Sequence, residues 1–488
     1  MALAPVSLAI KPGVDTVSTP FQSMGQISES NLCRFLNGQT EKLGGCARIA
    51  GSNFAGTASA LLPFVDLAAI KYIGIGSDSS LEVFSGGAVT NISPTTGIHG
   101  SKAWSLDKFG QVLVGTAGGS VYEWVPPIAV GNIATVVPNS PTQANGLIVA
   151  APQQQVITWG ATSQTLGAQD PLLVKWCDVA DLTVWTAATN NQAGSFRIPH
   201  GSEIVAIMWP SLSGYLWTDI DVWSMTYVNF PLVYGFNNIS QGAGLISKRA
   251  IAQLGQTIAW MSQQGFFILR GGTVQPLTCT VYDFVFGPNG IDHANLDKIH
   301  ADANTFYNEI MWRFPVVGSL GQCRAYVKAT WVGDQVLWDY GTAAPAISAW
   351  TDESIWGPPI GAGYEPVLKF FETGTDYDGE ILNSGFLSGW FYLQESHVSV
   401  FLERIRPDFT INSGGEIELS VIFADEIPQE DDDYPVRTYG PYPVTAKTPF
   451  VIVRGSGTVA RIRVECTAAN TFWRYGKPIA NVSPDGHR

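Results

Sequence analysis

Two stretches far apart in the chain carry one alternation of apolar and polar positions. The first runs Ile73-Gly-Ile-Gly-Ser-Asp-Ser-Ser-Leu-Glu-Val-Phe-Ser-Gly86-Gly87-Ala-Val-Thr-Asn-Ile92, and the second Ile258-Ala-Trp-Met-Ser-Gln-Gln-Gly-Phe-Phe-Ile-Leu-Arg-Gly271-Gly272-Thr-Val-Gln-Pro-Leu277. Each reads as an apolar strand, a polar turn, a second apolar strand, a Gly-Gly turn and a third apolar segment. That order predicts a meander of neighbouring antiparallel strands. A third copy, one residue longer in its turn, spans Val112 to Trp124 around Gly118-Gly119. Recurrence of such a unit predicts radial repetition, so the fold class is all-β, a β-propeller-like ring of six or so antiparallel blades.

Strand patterns dominate elsewhere too, at Leu61 to Val65, Glu203 to Trp209, Val222 to Val228, Phe306 to Phe314, Arg324 to Val332 and Val398 to Ile405. Helical turns are expected only at Asp297 to Asn304 and Ser30 to Phe35. Residues 1–62 are read as an N-terminal arm and 63–397 as the propeller. An irregular excursion is expected near 133–160, where Pro138, Pro141 and Pro152 interrupt the pattern. From 398 to 488 the strands lengthen and alternate, as in Glu416 to Phe423 and Val459 to Glu465, so this part is either a separate C-terminal β module or the segment that closes the ring.

Charge is sparse. Asp, Glu, Lys and Arg make up 14% of the 488 residues, against about 25% in an average domain, while Trp numbers 16 and Gly 51. A surface short of charge and rich in aromatics is expected to be buried against partner subunits. The net charge of −14 argues against tight binding to a phosphate backbone, which depends on Lys and Arg displacing counterions. It suits a duct that lets duplex DNA pass. No window approaches the apolar length of a membrane helix, and Met1 to Ile10 lacks the basic start of a signal peptide. Cys33, Cys46, Cys177, Cys279, Cys323 and Cys466 lie at no metal-ligand spacing, so reduced and mostly buried thiols are expected.

Candidate chemistry is thin. Asp219 and Asp221, flanked by Trp217 and Trp223, have a layout found in sugar sites, with an outward strand edge or a turn as the simpler reading. Asp376-Tyr-Asp378-Gly379-Glu380 resembles part of a calcium loop but has Gly374 and Gly385 at its first and twelfth ligand positions, which favours a tight turn. Glu430 to Asp433 could attract a cation or form a solvated loop. His99, His200, His293, His300, His397 and His487 are dispersed, and no nucleophile elbow, zinc-helix or phosphate-loop motif occurs. No catalytic, cofactor-binding or metal-binding residue is therefore assigned, and no cofactor is expected.

Three local patterns together resemble a known family. The N-terminal one is Asn31-Leu-Cys-Arg34-Phe-Leu-Asn-Gly38-Gln-Thr-Glu-Lys42-Leu-Gly44-Gly45. The central one is Trp176-Cys-Asp178-Val-Ala-Asp-Leu-Thr-Val-Trp185, followed by Ala193-Gly194. The C-terminal one comprises Arg454-Gly-Ser-Gly457, Phe472-Trp473-Arg474-Tyr-Gly476 and Gly486-His-Arg488. Their order is similar to that in the tail hub or nozzle proteins of short-tailed bacteriophages, also called packaged-DNA stabilisation proteins. Cys177 stands where members often have Ser, and Thr458 where they often have Arg. The resemblance implies a structural virion protein that is not an enzyme and is assembled in the host cytoplasm. It would form a homohexameric ring in the tail, beneath an adaptor or head-completion ring, with fibres, spikes or a needle attached. Such a ring extends the head-to-tail connector, retains packaged DNA and forms the duct for its ejection. The rival readings are a receptor- or carbohydrate-binding propeller and, further off, a glycoside hydrolase.

Overall fold

The computed structural model describes residues 4–342, 344–352, 355–394, 398–428 and 435–485. Among them, seven four-stranded antiparallel sheets follow one another as blades of a ring. The two Gly-Gly repeats are the second, third and fourth strands of blades 1 and 5. In blade 1 these are Lys71–Ser77, Leu81–Ser85 and Ala88–Asn91, and in blade 5 Thr257–Ser262, Gly265–Arg270 and Thr273–Leu277. Gly86 and Gly87 have φ of 59° and 83°, Gly271 and Gly272 of 58° and 79°. Two successive positive φ values form the hairpin turn that matches strand twist and that non-glycine residues resist. In the third copy Gly118-Gly119 instead joins the second and third strands of blade 2, Val112–Thr116 and Tyr122–Trp124.

The first strand of each blade lines a central channel: Ala58–Val65, Ser105–Phe109, Gly146–Ala150, Ile204–Met208, Ile251–Leu254, His300–Asn304 and Ile347–Thr351. The ring is closed by the N-terminal part of the chain. Cys46–Asn53 pairs antiparallel with Val367–Phe371 as the fourth strand of blade 7. Joining sequence-distant strands in one sheet makes closure part of the folding transition, because the last blade cannot complete itself locally.

Several expectations are corrected here. The ring has seven blades where six or so were expected. It runs from Cys46 to Phe371 rather than over 63–397; the strands after 398 belong to a β module and do not close the ring, and residues 1–62 are no separate arm, since they add strands to that module and, from Cys46, to the ring. The supposed excursion near 133–160 holds Thr135–Val136, the fourth strand of blade 2, and the first two strands of blade 3, Gly146–Ala150 and Gln155–Trp159. Prolines fall in the connections, so composition there disguised short strands. Helix is absent at Ser30 to Phe35, which is strand, and the turn near 297 is a 3₁₀ segment, His293–Lys298, begun by the Asp292 carboxylate accepting from the Ala294 amide. One helical turn that the pattern did not announce is Tyr282–Phe286.

The two chain ends build a second β module together. Ala4–Ser7 pairs with Ile479–Pro484, Ile27–Asn31 with Ser384–Ser388, and Gln39–Lys42 with Trp473–Tyr475. The alternating strands Ile417–Ala424 and Val459–Cys466 lie side by side at its centre. One apolar core runs from this module into the ring, uniting Val421, Ile462 and Trp473 with Trp260, Trp312 and Trp338.

The tryptophans tie neighbouring blades. The indole Nε1 of Trp104 in blade 2 donates to Ser77 O of blade 1 at 2.8 Å. Trp350 in blade 7 donates to Ala303 O of blade 6 at 2.7 Å, and Trp209 after blade 4's first strand to Ala151 O after blade 3's at 2.9 Å. An indole buries a large apolar face while its N–H satisfies a main-chain carbonyl that a sheet end would leave unpaired. Part of the aromatic excess therefore serves the ring itself.

Candidate functional site

Two clusters of buried charge stand out, neither of them legible as a motif for chemistry. The first joins the second module to the ring. Arg34, on Cys33–Leu36, donates from Nε and Nη2 to Glu309 at 3.0–3.1 Å and from Nη2 to Glu372 at 2.6 Å, with its guanidinium 3.4 Å from the Tyr307 ring centroid. Lys328 donates to Cys33 O at 2.6 Å and to Glu309 at 3.1 Å. Tyr326 donates to Asp339 at 2.8 Å and accepts from the Leu32 amide at 2.6 Å, while the Ser30 hydroxyl bonds the other Asp339 oxygen. Burial alone would push Glu309 up, but Lys328 and Arg34 hold its carboxyl below the usual range. Burial outweighs Lys328 at Asp339, whose carboxyl is pushed up to about 6.

This joint accounts for the N-terminal motif residue by residue. Gly38, with φ 76°, turns the hairpin between Cys33–Leu36 and Gln39–Lys42. Gly44 and Gly45 lie flat against the end of blade 7. A Cβ on Gly44 would sit 2.9 Å from the Glu372 Cα, and one on Gly45 2.6 Å from the Asp376 amide nitrogen. The chain thus passes from module to ring through a gap that only glycine fits. Arg474, from the C-terminal motif, pairs with Glu41 at 2.5 Å. In the central motif, Gly194 makes room for the Trp176 indole.

The second cluster crosses the channel. Lys248 donates from Nζ to Ala103 O at 2.7 Å and to Asn145 O at 2.8 Å. Arg249 donates from Nη1 to Ser348 O at 2.6 Å and to Ser59 O at 3.4 Å, and its own carbonyl accepts from the Ala301 amide at 2.8 Å. Those partners sit at the starts of the first strands of blades 1, 2, 3, 6 and 7, and Lys248-Arg249 leads directly into that of blade 5. The first strands therefore begin at one mouth of the channel, and the two side chains form a crossbar over it. Burial, then the like charges of Arg249 and Lys102, lower the Lys248 ammonium to about 7.

Beside the crossbar the channel holds a cavity of about 390 Å³ whose wall mixes apolar Leu61, Ile148 and Ile207 and the indoles of Trp104, Trp159 and Trp350 with the polar Asp107, His300 and Asp302. His300 on its wall shares Nδ1 with Lys298 O at 3.1 Å. A carbonyl only accepts, so Nδ1 holds the proton and Nε2 is bare. Nε2 faces Asp302 Oδ1 at 3.6 Å, two acceptors that a donor could bridge. Burial lowers the imidazole to about 4. The Asp302 Oδ2 is taken by Arg313 Nε at 2.6 Å.

The residues singled out in the sequence are not brought together. Asp219 sits in the turn before Asp221–Asn229 and accepts from the Ser202 amide at 2.8 Å and its hydroxyl at 2.6 Å. Asp221 is buried, with His200 Nδ1 at 2.5 Å and the Asn238 amide at 3.1 Å. Asp376 and Asp378 bind the closing strand: Asp376 O accepts from the Cys46 amide, and Asp378 pairs with Arg48 at 3.1 Å and Lys369 at 3.4 Å. Glu430 to Asp433, His397 and His487 lie outside the described residues. The six cysteines are buried and unpaired. Among the described residues no three His, Cys, Asp or Glu side chains are grouped to hold a metal. Sequence reading passed over Lys248 and Arg249, although they are the only charged residues between Asp221 and Arg270.

No protein-family model matches this chain, and no curated protein matches it. Among solved structures it is similar to streptogramin B lyase at 10% identity, covering 65% of this chain and 95% of that one with a TM-score of 0.39. It is also similar to the extracellular domain of a putative one-component system from B. thetaiotaomicron, at 10% identity and a TM-score of 0.40. That match covers 66% of this chain, which spans 40% of the other's length. The chain is an all-β propeller protein with a second β module built from both of its ends.

Proposed function

We propose that this chain is a structural subunit of a short-tailed phage tail, a nozzle or hub that prolongs the head-to-tail connector as a homohexameric ring. One observation carries the reading: Arg34, Lys42, Gly44 and Gly45 of the family-like motif join the second module to Glu309 of blade 6 and to Glu372 and Asp376 just past the closing blade, while Gly38 turns the hairpin that carries Arg34 and Lys42. A fastened pair of modules suits a part that must hold its shape under the pressure of packaged DNA. Exposed apolar residues support an assembled state. Leu67, Val130, Leu212, Leu232 and Phe306 each follow a first or third strand, so they gather at the channel end opposite the crossbar. The stretch Val222 to Ser247, without a charged residue, includes the long hairpin of Asp221–Asn229 and Val233–Gln241. At a net charge of −14, copies can approach most closely where charge is missing.

The bore of one propeller is spanned by Lys248 and Arg249, so a DNA duct belongs between subunits around the ring axis. Electron microscopy of the protein mixed with its connector proteins tests the reading. Six-fold rings are expected, with no duplex binding at physiological salt. Isolated single discs, or duplex affinity that falls steeply between low and moderate salt, would overturn it. Saturable binding on a glycan array would favour the receptor-binding alternative.

A further inference from the structure

The crossbar sets two cations side by side, hydrogen-bonded to main-chain carbonyls, with the nearest carboxylates acting on them only from a distance. Lys248 and Arg249 are adjacent cations set deep in the ring, and the surface they retain lines the channel cavity. Among the described residues, every hydrogen bond that they donate goes to a main-chain carbonyl: Ala103, Asn145, Ser348, Ser59 and, at 3.4 Å, Asp297. Two carboxylates share the cavity wall: Asp302 gives Oδ2 to Arg313 at 2.6 Å, and Asp107 accepts from the Val149 amide at 2.7 Å; Glu203, further out, pairs with Lys102 at 3.7 Å. The Nε of Arg249 is buried without a partner, and so is the Nε1 of Trp159, whose ring lies 5.8 Å from the Lys248 ammonium. Carbonyl dipoles solvate a cation but do not neutralise it. Two neighbouring cations in a low-dielectric channel are stable only beside a counter-charge or with a proton lost.

We propose that the channel cavity binds a small organic carboxylate, its head group against Lys248 and Arg249 and its apolar body among Leu61, Ile148, Trp104 and Trp350. An inorganic anion would satisfy the cations but leave the apolar walls without contacts. A neutral apolar molecule would do the reverse. The cavity, at about 390 Å³, is large enough for a compact ligand, since pockets for such molecules begin at roughly 300 Å³. Apolar walls with a few convergent polar groups are the general form of such a site. The proposal stands apart from the tail reading and needs no assembly.

Titration calorimetry of the full chain with hexanoate, benzoate, acetate, inorganic phosphate and chloride tests it. Hexanoate and benzoate should bind once per chain, and acetate more weakly because it reaches no wall. Arg249→Gln and Lys248→Met should each weaken hexanoate binding at least about tenfold, as loss of a buried charge-assisted contact does. Should either variant fail to fold, Ala301→Leu fills the cavity from its wall while leaving both cations in place, and it should abolish binding. A second readout needs no mutation. At pH 8, titrations in buffers of different ionisation enthalpy should show roughly one proton taken up per hexanoate, because the anion restores the charge on Lys248 against the opposition of Arg249 and Lys102. His300, bridged through its backbone to Arg249, faces the same cavity, but burial holds its imidazole down to about 4 and it adds no proton to that count at pH 8. Absence of millimolar binding to the folded chain, equal binding by phosphate or chloride, or unchanged affinity in the variants would each overturn the proposal.

Discussion

The guanidinium of Arg34 and the carboxylate of Glu309 meet at 3.0 Å across the joint between the two modules, although 275 positions separate them in the chain. Both are almost wholly buried. Removing Arg34 leaves buried Glu309 with Lys328 alone and takes from Glu372 its guanidinium partner, whereas the intact cluster is near neutral in cost. Arg34→Met should therefore lower the unfolding free energy by about 3–5 kcal/mol, read by urea denaturation. The double variant Arg34→Met, Glu309→Leu should recover part of that loss unless Lys328, which also bonds Glu309, is left unpaired in turn. A loss below about 1 kcal/mol, the usual worth of a surface pair, would mean that the joint is wet.

Stability should climb with pH on the alkaline side. Between about pH 7, where the folded Lys248 loses its proton, and about 10.4, its ordinary value, the unfolded chain holds one proton more than the native one. Unfolding free energy then rises with pH over that window. Thermal melting from pH 7 to 9 should show the rise in the wild type and lack it in Lys248→Met. At the acid end His300 acts in the same sense: held neutral down to about 4, it makes stability rise with pH between about 4 and 6.5, so the fold loses stability as pH falls through that window. Equal pH profiles in wild type and His300→Gln would remove that assignment.

The repeat turns give a backbone test. Replacing Gly271-Gly272 with Val-Val forces two β-branched residues into positive φ, at about 1–2 kcal/mol each. Replacement with Asn-Gly should be tolerated, since Asn accepts that region at little cost. Gly86-Gly87 should respond alike, because a Cβ meets nothing within 4 Å at any of the four positions and the penalty is conformational alone. Matching melting temperatures for Val-Val and Asn-Gly variants would show the turns to be slack.

Ring closure depends on close approach instead. Gly45→Ala would press a methyl onto the Asp376 backbone and should loosen the pairing of Cys46–Asn53 with Val367–Phe371. Hydrogen exchange should then rise in Cys46–Asn53 before it does in the strands of blade 5. Uniform exchange across both blades would indicate that the last blade holds without its clasp.

Local pattern and distant contact divide this protein cleanly. Alternation of apolar residues, with paired glycines at Gly86-Gly87 and Gly271-Gly272, was enough to read blades, because strand period and turn geometry act over a few neighbouring residues. Composition likewise announced scarce charge and abundant tryptophan. What no window along the chain contains is the partner of Cys46–Asn53, found past residue 366, or of Ala4–Ser7, found at Ile479–Pro484. Pairing across such separations is selected by burial of a common core, an energy that only the assembled fold provides. The same holds for charge. In the sequence Lys248-Arg249 is an ordinary basic pair and Arg34 one of several arginines. Their meaning arises when the closed ring brings main-chain carbonyls from four other blades and from the 3₁₀ segment to the first, and when two modules close over the second and remove its water.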